Sequence, residues 1–160
     1  MVNRTVTQQR SVLILLFLSV WINYIDRGSL SVAAPDISRE LSLDPQQLGV
    51  LLSAFFWTYS FCQILSGYLV DRFPVKWVFA TGFVIWTGST IASGFTTSFA
   101  SLFALRLLLG IGESVAFPSY SRVLSSEFIE SERGLANGLI DAGTKAGPAF
   151  GNFLGVLLPS

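Results

Sequence analysis

Two clusters of charged residues sit where charge is expensive. Asn23-Tyr24-Ile25-Asp26-Arg27 interrupts an apolar run from Ser11 to Ala34, and Arg106 and Glu113 interrupt another from Phe99 to Leu124. A helix rises about 1.5 Å per residue, so Asp26 lies roughly 22 Å into its run, within a hydrocarbon layer about 30 Å thick. Charges at such depth rarely face lipid and mark a polar pathway or a paired site. An arginine stays protonated whatever surrounds it, so Arg27 and Arg106 are fixed cations. A carboxyl can bind a proton instead, because desolvation raises its pKa and a nearby cation lowers it. Two fixed cations beside two titratable acids, Asp26 and Glu113, suit an anion whose binding is coupled to a proton. Arg106 and Glu113 share one helical face, about 10 Å apart along the axis. Asp26, rising from the opposite side, reaches a similar depth to Arg106, which makes an Asp26–Arg106 ion pair geometrically feasible. Asn137, Asp141 and Lys145 add a third set at i, i+4 and i+8, where Asp141 and Lys145 can pair within one helix. The competing reading makes all these groups structural ion pairs that lock helices together.

Such residues need apolar helices to hold them, and the composition supplies these. The 160 residues are 51% hydrophobic and 12% charged, with mean hydropathy +0.60. A soluble domain carries about 25% charged residues, so this is an integral membrane protein in contact with the lipid bilayer. Five apolar segments, approximately 11–34, 48–70, 75–95, 99–124 and 134–158, are each long enough to cross. A barrel would show ten-residue segments of alternating polarity, which are absent. The fold class is therefore an all-α membrane protein with about five transmembrane helices. Ten basic and ten acidic residues cancel, which gives no reason to expect nucleic acid. There is no histidine and no CxxC, so neither a metal site, a cofactor nor an enzyme's nucleophile–base pair is expected. The lone Cys62 lies in an apolar run and reads as a small core hydrophobe.

The loops set the expected orientation. With the N-terminus in the cytosol, that side holds Arg4, Arg10, Arg72, Lys76, Arg122 and Arg133, and the other only Arg39. The first apolar run is too long for a signal peptide and reads as an uncleaved helix. The sequon Asn3-Arg4-Thr5 then faces the cytosol and is discounted. The first outer loop is expected at Pro35–Gln47. Gly143, Gly147, Gly151 and Gly155 form a small-residue stripe for close helix packing, and Pro148 is expected to kink that helix. Gly110 and Gly112 permit close approach in the fourth span, whose inner third Pro118 should bend. Trp77 beside Lys76 reads as an interfacial anchor.

Two stretches resemble a family. Gly67-Tyr68-Leu69-Val70-Asp71-Arg72-Phe73-Pro74-Val75-Lys76 resembles the signature loop of the major facilitator superfamily, with Gly67, Asp71, Arg72 and Lys76 matching. Pro74 replaces the usual glycine and Val75 a usual basic residue. An aspartate there can cap a neighbouring helix and accept from arginine. Glu132-Arg133-Gly134 looks like the charged partner of that loop, and Arg106 with Gly110 resembles the fourth-helix signature. Gly143, Gly147, Pro148 and Gly151 are similar to a fifth-helix signature often associated with exchangers. Asn23–Arg27, Ala34-Pro35-Asp36-Ile37 and Arg106 through Glu113 look like the anion:cation symporter family, whose members include proton-coupled carriers of hexuronates, aldonates and aldarates.

This resemblance implies the N-terminal bundle of a major facilitator fold, incomplete without a second six-helix bundle. It implies proton-coupled symport of an organic anion, with the proton as coupling ion and Asp26 and Glu113 as the proton-coupling acids. Arg27 and Arg106 would bind or gate the carboxylate, with Asn23, Tyr24 and Lys145 as further anion-binding candidates. Gly67, Asp71, Arg72, Lys76, Glu132 and Arg133 would gate. The alternatives are an antiporter of phosphate esters or of drugs and protons, and a truncated membrane protein that transports nothing. A bacterial inner membrane is the expected location.

Overall fold

The computed structural model describes residues 6–157. Arg4, the sequon Asn3-Arg4-Thr5 and Leu158, which the sequence reading also used, lie outside the described residues. These fold into α1 (Val6–Glu40), α2 (Pro45–Arg72), α3 (Val75–Ser93), α4 (Phe99–Glu113), α5 (Ala116–Glu127) and α6 (Glu130–Leu157), with no strand among the described residues. By length and composition, three helical stretches could cross a membrane: Gln9–Glu40, Pro45–Arg72, and Phe99–Glu127 taken across the short break between α4 and α5. The chain clusters into two compact units, Ala34–Ser119 and a second that joins the residues up to Ala33 with those from Tyr120 onward.

The expected loop Pro35–Gln47 is mostly helix. α1 continues through Pro35, which removes one N–H from the helical ladder without ending it. It stops at Ser42, whose φ of 50° turns the chain left-handed. The Ser42 N–H then donates to Arg39 O at 3.3 Å and the Leu43 N–H to Ser38 O at 2.9 Å, the paired bonds of a Schellman ending. Arg39 in this last turn pairs with Asp36 at 3.0 Å. Asp44 immediately caps α2: its Oδ1 accepts from Gln47 N at 2.8 Å while Gln47 Oε1 accepts from Asp44 N at 3.1 Å. Pro45 fills the first helical position, where no N–H is needed. Asp44→Ala should cost about 1 kcal/mol of stability, visible as a lower unfolding midpoint.

The unit Ala34–Ser119 is organised on α4. A Cβ on Gly110 would strike α2, meeting Thr58 Oγ1 and Phe55 O, with Tyr59 N at 3.0 Å. A Cβ on Gly112 would strike α3, 2.6 Å from Trp86 N and 2.9 Å from Gly82 O. Residues two apart point to nearly opposite sides of a helix, so the two glycines let α4 approach a different neighbour on each side. Phe55, Trp86 and Leu109 are buried where the three helices meet, with Tyr59 and Phe83 packed against them. Phe55 stacks on Tyr59 at 5.2 Å, and Phe83 meets Trp86 edge-on at 5.1 Å. Hydroxyls add directional contacts that hydropathy does not reveal. Thr58 Oγ1 donates to Leu107 O at 2.8 Å, and Ser66 Oγ lies 2.8 Å from Ser114 Oγ, which donates to Ile111 O at 2.7 Å.

In the other unit the small-residue stripe of α6 lies on α1. Cβ atoms on Gly143, Gly147 and Gly151 would meet Val20 at 3.3 Å, Tyr24 Cβ at 2.6 Å and Ile25 O at 3.5 Å. Trp21 and Phe150 pack beside the stripe with ring centroids 5.0 Å apart. Pro148 lies inside α6, which remains helical through it, and Gly28 passes close by on α1. The charged and exposed face of α6 turns away from this contact.

Candidate functional site

On α1 the polar signature occupies two turns directly opposite the glycine stripe. Gly147 takes the space beside Tyr24 Cβ and the backbone of Trp21 and Ile25, so α6 packs directly on the stretch that holds the candidate residues. The Arg27 guanidinium lies 5.0 Å from the centroid of the Tyr24 ring, one turn away. Such stacking engages the cation's face, while its N–H donors lie around the edge in the fork that suits a carboxylate. Asn23 is 1% exposed, and its Nδ2 donor has no hydrogen-bond acceptor. An unsatisfied buried amide costs about 1–3 kcal/mol, which a ligand acceptor would offset. Asp26 is half-buried on the same stretch. The α1 turn thus brings together an amide donor, a phenol ring, a carboxyl and a guanidinium.

Lys145, also in this unit, is placed differently. It lies on the exposed face of α6 with Asn137 and Asp141, 79% exposed, its Nζ 4.0 Å from Asp141 Oδ1. Thr144 Oγ1 donates to Asp141 O at 2.7 Å. The spacing-based pairing of Asp141 with Lys145 is therefore present as a loose contact. Both side chains are exposed in this unit, and their contact joins neighbouring turns of one helix.

In the unit Ala34–Ser119, Arg106 is half-buried midway along α4, and Glu113 is its final residue, 0% exposed. Glu113 occupies the last helical position before a break at Ser114 and Val115. The break follows from Pro118: it lacks the N–H that would reach Ser114 O, and its ring crowds that carbonyl. The bend expected from Pro118 is thus displaced four residues toward the N-terminus, onto the carboxyl. Glu113 is thus fully buried at the C-terminal end of α4, the end at which a helix carries a partial negative charge.

The expected gating loop is almost entirely helical. Gly67, Asp71 and Arg72 end α2, Lys76 lies in the first turn of α3, and only Phe73 and Pro74 separate the helices. Phe73 is extended, as a residue before proline prefers. Pro74 stands at the N-cap of α3, and its own side chain offers no capping hydrogen bond. Arg133 has a local task that the spacing did not suggest. Its Nη2 donates to Ser125 O at 2.7 Å and its Nε to Phe128 O at 3.0 Å, closing the last carbonyls of α5. Glu132 sits in the first turn of α6, where an acid suits the helix dipole.

The family model described as Major Facilitator Superfamily matches residues 16–160. Among curated proteins, the D-galactonate transporter of a strain of Escherichia coli is 37% identical over 138 residues, 86% of this chain and 32% of that protein. A probable sulfoacetate transporter of Cupriavidus necator is 41% identical over 132 residues, 82% of this chain and 31% of that one. A probable galactarate/D-glucarate transporter of Escherichia coli is 37% identical over 131 residues, 78% and 29%. The chain spans about a third of the length of these relatives. Among solved structures, a bacterial homologue of the human lysosomal transporter Spinster, inward-facing and unoccupied, superposes with a TM-score of 0.90. That match has 25% identity and covers 95% of this chain and 32% of the other.

Proposed function

The chain belongs to the Major Facilitator Superfamily, integral multi-pass membrane transporters rather than enzymes, and from that premise we propose that the whole protein carries a sugar acid across a bacterial inner membrane by proton symport. The observation that carries this reading is the α1 turn, where Arg27 is held on Tyr24 beside the buried Asn23 amide. A fixed cation recognises carboxylate, and an amide donor recognises hydroxyl or carboxylate oxygen. The names of the relatives support the same class, since galactonate, glucarate and sulfoacetate are all small organic anions.

In this reading Arg27 and Arg106 hold the carboxylate, and Asn23, Tyr24 and Lys145 orient the substrate. Asp26 and Glu113 carry the proton, because a carboxyl is neutral when it moves with one. Gly67, Asp71, Arg72, Lys76, Glu132 and Arg133 form the charged gate on the side of the N-terminus, which lies in the cytosol. Alternating access requires a second six-helix bundle opposite this one. The exposed polar stripe Asn137, Asp141 and Lys145 is unsuited to lipid and faces that bundle across the pathway.

The test is uptake of labelled D-galactonate or D-glucarate by the full-length protein in proteoliposomes under an imposed proton gradient. Uptake should require the gradient, and Arg27→Gln should lower it about thirtyfold or more, since losing a charged partner costs about 2 kcal/mol or more. Uptake that ignores the proton gradient, or an unaffected Arg27→Gln variant, would overturn the reading. The glycines and Pro148 that suggested an exchanger also serve the α1–α6 contact, so their presence does not require exchange. An absolute requirement for an opposing substrate would restore the exchanger.

A further inference from the structure

The unit Ala34–Ser119 contains a groove of about 550 Å³ between α2 and α3, floored by α4. Its walls include Cys62, Leu65, Leu69, Thr81 and Ile85, and its floor Ile111. The lining is overwhelmingly apolar. The faces of α2 and α3 around it expose Phe61, Ile64, Tyr68 and Val84, so the groove opens among side chains suited to hydrocarbon. At one end it runs out beneath Phe73, Pro74 and Trp77, the turn that joins the two helices. The exposed Arg72 and Lys76 flank that turn, with the exposed Asp71 beside them, leaving one positive charge in excess. Lys76 Nζ lies 5.5 Å from the Trp77 ring centroid, and that ring is 65% exposed. A tryptophan with a basic neighbour at the end of an apolar helix marks the headgroup level.

An apolar slot leading to a net cationic rim at headgroup depth matches one kind of molecule. We propose that this groove binds an anionic glycerophospholipid from the leaflet on the Arg72–Lys76 side. One acyl chain lies along Leu65, Leu69 and Ile85, and the phosphate meets Arg72 and Lys76. The single excess charge fits a monoanionic headgroup, since Asp71 opposes anything more negative. Neither Arg27 nor Glu113 lines the groove, and Arg72 and Lys76 are shared between the proposed gate and the lipid headgroup.

The full-length protein, released from detergent in native mass spectrometry, should retain phosphatidylglycerol at least fivefold more often than phosphatidylcholine. The double variant Arg72→Gln/Lys76→Gln should erase that preference while keeping some adduct of both lipids. Thr81→Trp, which fills the slot from an exposed position, should remove both adducts. Should Thr81→Trp fold poorly, the wild type supplies its own check, because Cys62 lines the groove. Alkylation of Cys62 by N-ethylmaleimide, followed by peptide mapping, should slow at least threefold when phosphatidylglycerol is added. Equal retention of the two lipids by the wild type would overturn the proposal. So would a Cys62 reaction rate insensitive to lipid, the result expected if another helix of the protein covers the groove.

Discussion

Glu113→Gln in the full-length protein should abolish accumulation of a sugar acid against its gradient while exchange of labelled for unlabelled substrate continues. Glutamine preserves the volume and neutrality of a protonated carboxyl, so a site that binds substrate with the proton present should still bind it. It cannot release a proton, so the cycle loses its driving force. Coupled uptake should fall by tenfold or more, with exchange within about threefold of wild type, both read in the same proteoliposomes. The structural alternative predicts another pattern. A fully buried carboxylate that serves only as half of an ion pair would, on neutralisation, leave its partner uncompensated at a cost of about 3–5 kcal/mol. Uptake, exchange and thermal stability would then fall together. Proton-driven accumulation that survives in Glu113→Gln would remove the residue from the coupling mechanism.

Gly112→Ala should be strongly destabilising in the unit Ala34–Ser119. The added Cβ would lie 2.6 Å from Trp86 N, 2.9 Å from Gly82 O and 3.0 Å from Trp86 Cα. All three are backbone atoms of α3, which cannot swing aside as a side chain would. Overpacking costs about 1–3 kcal/mol when side chains can yield, and here the upper end or more is expected. Gly88→Ala provides the contrast on α3, since a Cβ there meets nothing within 4 Å. Removing an unneeded helical glycine gains up to about 1 kcal/mol, so this variant should be neutral or slightly stabilised. Unfolding midpoints of the two purified variants, followed by tryptophan fluorescence, make the comparison. Indistinguishable midpoints would mean that α4 and α3 do not approach so closely.

Much of this was legible from residue type and period alone. Charge scarcity gave the membrane, apolar run length gave the helices, and the four-residue glycine spacing gave a helix contact. That contact proved to be α1, at the very turn holding Tyr24 and Arg27. The family followed from Gly67, Asp71, Arg72 and Arg106 at their spacing. Helix ends were less legible, because they depend on which local hydrogen bonds win. Pro35 reads as a stop, yet α1 absorbs it and ends at Ser42, a residue that propensity would not choose for a left-handed turn. Pro118 reads as a local bend, but its effect acts on the carbonyl four residues earlier and so falls beside Glu113. Arg133 shows a different limit: a charge that matches a gating motif also closes the end of α5, and sequence spacing carries no sign of the second task. Serines and threonines within apolar runs, Thr58, Ser66 and Ser114 among them, are the signal that would have located the α2–α4 contact.

The docking of α6 on α1 also bears on how the chain is made. The first span is long and apolar enough to cross a bilayer, while α6 carries Asp141 and Lys145 on its exposed face. A helix with charges among its apolar residues enters lipid at a cost, part of which close packing on a neighbouring helix can offset. Its glycine stripe fits α1, so α6 is expected to settle in the membrane by docking on a helix made long before it. A bulky residue at Gly147 would be felt first as a helix that fails to enter the bilayer, before any transport could be measured.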